Sequence, residues 1–123
     1  MWRIEYDPLE RVLTVSMREQ VYGRDMRDLS RAHARALEAT GGARFKLLLD
    51  LRGLHPLDSE SAAMFGDMKR VASRLEGYRG RAVLIDSPTI AMQQRNSTIE
   101  GGGDEAELIT PDELKAQEFL RSG

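Results

Sequence analysis

The chain has 123 residues, 41% of them hydrophobic and 31% charged, with a formal net charge of −2. That length suits one domain that buries a core without staples, and that composition excludes a disordered chain. The balance of charge offers no global field for nucleic acid or acidic lipid. The absence of cysteine excludes disulfides, thiolate zinc sites and a thiol nucleophile.

The opening stretch, MWRIEYDPLE, is charged and interrupted by proline, so no signal peptide is expected and a cytoplasmic location is. Trp2, Ile4 and Tyr6 alternate with Arg3 and Glu5, the period of a half-buried strand. Asp7-Pro8 supplies turn chemistry, and Val12, Leu13, Val15 and Met17 resume a strand, so the chain opens as a hairpin. After Gly23 the period changes. Met26, Leu29, His33, Ala36, Leu37 and Thr40 recur every three or four residues, one face of a helix over Arg24 to Thr40 that Gly41-Gly42 stops. His33 on that face reads as a hydrogen-bonded core residue rather than a ligand.

Phe45 to Leu51 is nearly continuous in apolar residues, as a strand covered on both faces would be, and far too short to cross a membrane. Asp58 or Ser59 can cap a second helix running to about Glu76, with Ser61, Met64, Phe65, Met68, Ala72 and Leu75 inward and Gly77 and Gly80 ending it. Arg81 to Asp86 is a further buried strand, and Ser87-Pro88 opens a polar, weakly periodic third helix over Thr89 to Glu100. Gly101 to Glu105 reads as a loop, and Ala106 to Ile109 as a short edge strand. In the last helix Thr110-Pro111-Asp112-Glu113 predicts a capping box, with Ile109 and Leu114 as its staple and Leu114, Phe119 and Leu120 docking it. Strands alternating with helices imply an α/β domain over residues 1–123, its mixed sheet mostly parallel behind an antiparallel N-terminal hairpin.

Leu48-Leu49-Asp50-Leu51, followed by Leu57-Asp58-Ser59-Glu60-Ser61 at a helix start, resembles the STAS domain, the SpoIIAA-like fold of bacterial anti-sigma-factor antagonists. Arg81-Ala82-Val83-Leu84 and Thr110-Pro111-Asp112-Glu113-Leu114 with Phe119-Leu120 are similar to a bacterial STAS-like branch grouped with the CRAL-TRIO lipid-binding fold. The resemblance implies a protein-binding signalling module, with Ser59 matching the serine that a partner kinase phosphorylates and Asp58 the preceding aspartate. The sequence departs from that pattern at Glu60, where the family has Ser or Thr, and at Ser61, where it has Gly. The alternative that the resemblance implies is a carrier of a small apolar, lipid-like ligand, to which Met64, Met68 and Met92 could adapt.

The partner-binding candidates are therefore Asp58, Ser59, Glu60 and Ser61, at a helix start whose free amides and partial positive charge suit a phosphate or an acidic group. An ordinary N-cap is the plainer reading of the same residues. His55, Asp58 and Ser59 hold the residue types of a hydrolase triad without the usual convergence from separate segments, so no catalytic residue and no enzyme is expected. Two distant histidines give no metal-ligand spacing, and Gly101-Gly102-Gly103 lacks the Lys-Ser/Thr of a phosphate loop, so no metal or cofactor is expected. Asp104, Glu105 and Glu107 read as solvated acids. Arg24, Arg27, Arg31 and Arg35 form a stripe opposite the apolar face of the first helix, a solvated surface or a contact for an acidic partner. An exposed edge of the hairpin would permit a homodimer.

Overall fold

Alternation and periodicity sort the side chains of this sequence onto two faces of one sheet, and the computed structural model, which describes residues 1–100 and 106–122, places them accordingly. Among the described residues the order is β1 (Trp2–Asp7), β2 (Val12–Met17), α1 (Gly23–Ala39), β3 (Phe45–Asp50), α2 (Ser59–Ser73), β4 (Tyr78–Leu84), α3 (Pro88–Glu100), β5 (Glu107–Thr110) and α4 (Glu113–Arg121). The strands lie in the spatial order β1-β2-β3-β4-β5. β1 and β2 are antiparallel, pairing Trp2 with Met17 and Asp7 with Val12, and every later pairing is parallel. No helix among the described residues is long and apolar enough to cross a membrane.

Successive strand residues point to opposite faces. Val15 and Met17 of β2, Leu49 of β3 and Val83 of β4 meet Met26 and Leu29 of α1, Phe65 and Met68 of α2, and Ile90 of α3. Leu48, Ala82 and Leu84 point the other way, where Ala116, Phe119 and Leu120 of α4 cover them. Three helices therefore cover one face, and α4 covers the other over β3, β4 and β5. Burying a side chain of Leu or Phe size contributes roughly 1.5–3 kcal/mol, so these two interfaces dominate the stability of the domain.

Several boundaries differ from expectation for identifiable reasons. α2 ends at Ser73 and β4 starts at Tyr78, so Gly80 lies inside the strand rather than ending the helix. Gly77 is needed for contact: a Cβ there would stand 2.2 Å from the Ala43 carbonyl oxygen. Gly80, at φ 122°, would bring a Cβ to 2.7 Å from the Ala106 oxygen. Leu75, past the end of α2, is exposed rather than inward. The cap of α4 is Asp112, whose carboxylate accepts from the amides of Leu114 at 2.9 Å and Lys115 at 3.3 Å. Thr110 belongs to β5 and its hydroxyl accepts from the Asp112 amide. With the helix starting two residues later than the box requires, no staple forms, and Leu114 is 75% exposed. Gly101 to Glu105, including the glycine run and the acids Asp104 and Glu105, lie outside the described residues.

His33 is buried on the inward face of α1, but its ring makes no hydrogen bond among the described residues. Desolvation alone pushes it down, from 6.5 to about 4. Between those two values the unfolded chain takes up a proton that the folded chain refuses, so stability falls as pH drops from 6.5 towards 4. At about 1.4 kcal/mol per pKa unit the full loss is about 3 kcal/mol. Urea melts across this window are expected to show that slope in the wild type and a flatter one in His33→Leu; parallel slopes would contradict it.

Candidate functional site

The segment joining β3 to α2 carries the residues Asp58–Ser61, and its shape is set from four directions. β3 ends at Asp50, whose carboxylate receives the Arg52 guanidinium through Nε at 3.0 Å and Nη2 at 2.8 Å. That fork holds the Asp50 carboxyl below the usual carboxylate range, and in return Asp50 raises Arg52. Arg52 also reaches Glu113 in the first turn of α4, at 3.4 Å. The next residue, Gly53, takes a left-handed φ of 78°, and its amide donates to both oxygens of Asp86, at 3.1 and 3.0 Å.

From the β2 side, Glu19 donates its amide to the Gly53 carbonyl at 2.8 Å and accepts from the His55 amide at 3.0 Å. From α3, the Gln93 side chain accepts from the Leu57 amide at 3.2 Å and donates to the Leu57 carbonyl at 3.0 Å. Leu54 and Leu57 turn inward and are buried. The segment is thus a pinned connection, and α2 starts from a fixed position.

Asp58 is the N-cap of α2, its carboxylate accepting from the Ser61 amide at 2.7 Å. That answers one of the amides that a helix start leaves open. Ser59, the first helical residue, is exposed, and so is Glu60. Glu60 leans towards α1: its carboxylate and the Arg27 guanidinium flank Gly23, 3.8 and 3.7 Å from where a Cβ would stand. Ser61 faces the interior, fully buried, with its hydroxyl lacking a hydrogen-bond partner among the described residues. The four candidates therefore divide into one cap, two exposed residues and one core residue.

No side-chain hydrogen bond joins His55, Asp58 and Ser59; Asp58 spends its carboxylate on the Ser61 amide, and His55 is held by its backbone. The arginines Arg24, Arg27, Arg31 and Arg35 are all exposed along α1, with Arg31 3.5 Å from Asp28. Met64, Met68 and Met92 are half-buried, buried and exposed, and line neither of two surface cavities of about 390 and 240 Å³. Sequence reasoning missed the residues that fix the segment: Glu19, Asp86 and Gln93 carry no local motif. Their only signal is position: Glu19 and Asp86 each follow a strand, and Gln93 lies in the second turn of α3.

This architecture matches that of an uncharacterized protein of the DUF3478 family with a SpoIIAA-like fold, from Shewanella loihica PV-4. The two share 16% of residues; the match covers 98% of this chain and 92% of that one, with a TM-score of 0.66. The fold is SpoIIAA-like: an α/β domain with a mixed five-stranded sheet. No protein-family model matches the chain, and neither does any curated protein.

The cap gives a direct test of this local account. Asp58→Ala removes the acceptor for the Ser61 amide and is expected to lower stability by about 1 kcal/mol. Chemical denaturation at constant slope measures it. An unchanged midpoint would mean that the cap bond contributes nothing.

Proposed function

We propose that this chain is a protein-binding regulatory module whose contact surface is the start of α2, with Ser59 as a phosphorylation-controlled residue. The observation that carries the reading is the exposure of Ser59 on the first turn of a helix that starts from a pinned, N-capped position. The SpoIIAA-like fold supports it, as does the sequence resemblance to anti-sigma-factor antagonists around the same turn.

The physical chemistry of the switch is local. A phosphate on Ser59 adds between one and two negative charges and strong acceptors at a helix start, where free amides and the helix dipole favour them. The helix would gain stability while its exposed surface turned strongly negative beside Glu60. A partner docking through acidic or apolar groups would then be repelled. A partner kinase and a docking protein are the two macromolecules this mechanism requires; no catalytic group of its own is involved.

Affinity capture from the source cells with wild type, Ser59→Ala and Ser59→Asp separates the outcomes. A specific partner held by the first two and at least tenfold depleted with Ser59→Asp is the expected result. Because an aspartate at this position favours the helix by about 0.3–1 kcal/mol, unfolding would not explain the loss. Equal capture of the same partner by all three forms would contradict the switch.

A further inference from the structure

The end of the sheet opposite Ser59, where β2, β3 and β4 begin, has a charge character that the whole sequence does not. A cavity of about 240 Å³ there is lined by Arg11, Arg44, Lys46, Arg79 and Arg121, with Glu10 as its carboxylate. Five cations thus face one anion, in a chain whose net charge is −2. Among the described residues none of the five forms an ion pair with a carboxylate. Concentrating like charge in this way opposes folding unless something offsets it.

Two of the cations are held in place by groups that leave their charge intact. Lys46 donates to the carbonyls of Phe119, at 2.7 Å, and of Ser122, and to the Ser122 hydroxyl at 3.1 Å. It thereby answers the negative end of α4. Arg79 donates through Nη1 to the carbonyls of Glu76 and Tyr78, at 2.8 and 2.9 Å. Carbonyl oxygens satisfy donors but carry no formal charge, so the guanidinium stays both oriented and cationic. Arg11 sits at a φ of 57°, a left-handed conformation in which glycine is the cheaper residue, and its carbonyl ties the turn to the Lys46 amide at 3.0 Å.

We propose that this cavity binds the dianionic phosphate group of a small phosphate monoester. Arginine dominates the lining, and its planar fork matches phosphate oxygens two at a time. The volume is below the roughly 300–1,000 Å³ of pockets for drug-sized ligands and suits a compact anion. The half-buried Leu120 supplies apolar wall for the organic part of the ester. A soluble phosphomonoester and a phosphomonoester lipid headgroup present the same chemistry to the cavity.

The test is calorimetric titration of the full chain with inorganic phosphate, at an ionic strength held constant with chloride, beside thermal melts in the same buffers. The wild type is expected to bind saturably, and its melting midpoint to rise with phosphate. Arg44→Ser, and separately Arg11→Gly, are expected to bind about tenfold more weakly, as the loss of one charged hydrogen bond implies. Arg11→Gly keeps the chain folded, since glycine accepts that φ without strain. Ser59→Asp, at the other end of the sheet, is expected to bind phosphate as the wild type does.

Co-sedimentation with phosphatidic acid vesicles that is lost in Arg11→Gly would support the site with a lipid headgroup as its ligand. Phosphate binding without co-sedimentation would support it with a soluble ester. No phosphate binding by the wild type, or wild-type affinity in both arginine variants, would overturn the proposal.

Discussion

The carboxylate of Glu107 is the group on which the C-terminal half of the domain closes. It sits on β5, the short edge strand, with its side chain only 5% exposed. Arg81 of β4 bonds to it through Nε, the Lys69 ammonium of α2 lies 3.3 Å away, and the Thr98 hydroxyl of α3 donates at 2.7 Å. Lys69 is itself held by the Gln94 carbonyl at 3.2 Å and the Ser97 hydroxyl at 3.3 Å. One side chain thereby ties four elements together: two helices, the strand beside it and its own. A strand of four residues has few ladder bonds to secure it, so this polar knot supplies what the ladder lacks. Breaking a buried ion pair on one side typically costs about 3–5 kcal/mol, far more than an exposed pair contributes.

With that side of the sheet locked, the two ends of the strands are left with different chemistry. At the end where the parallel strands finish, four aspartates are used to shape connections: Asp50 on Arg52, Asp86 on Gly53, Asp58 on the start of α2, Asp112 on the start of α4. The result is a rigid rim that displays Ser59. At the end where the strands begin, five cations gather around the single carboxylate of Glu10, and two of them, Lys46 and Arg79, are steadied by backbone carbonyls. A rigid rim with an exposed hydroxyl suits recognition by another protein. A cavity lined mostly by arginine suits a small anion. The same sheet separates the two surfaces, so each can be altered without touching the other.

Much of this architecture was legible in the residues. The alternation in β1 and β2 and the apolar run of β3 gave the sheet, because side-chain direction in a strand depends only on parity. The three- and four-residue spacing of Met26, Leu29, His33 and Leu37 likewise gave the buried face of α1. What failed depended on contacts distant in sequence. Gly80 looks like a helix stop until the Ala106 backbone is placed beside it, and Thr110 looks like a cap until it is claimed by β5. Lys69 and Arg81 carry charges that sequence patterns assign to the surface; only the fold brings Glu107 to them. At the candidate site, Asp58 as a cap and Ser61 as an inward residue were readable from local rules, whereas the anchors Glu19, Asp86 and Gln93 come from three different segments and were not. Nor was the cationic cavity, because its members are spread from residue 11 to residue 121 and meet only in space.

The division of labour between the two ends is the central claim, and an amide map of the labelled protein titrated with inorganic phosphate tests it most directly. Both ends compete for the anion on physical grounds: one offers arginines, the other a helix start with open amides. The account predicts saturable shifts at the amides of Arg11, Arg44 and Arg79, with Ser59, Glu60 and Ser61 unmoved. Shifts concentrated on the first turn of α2, with the cationic cavity silent, would contradict it.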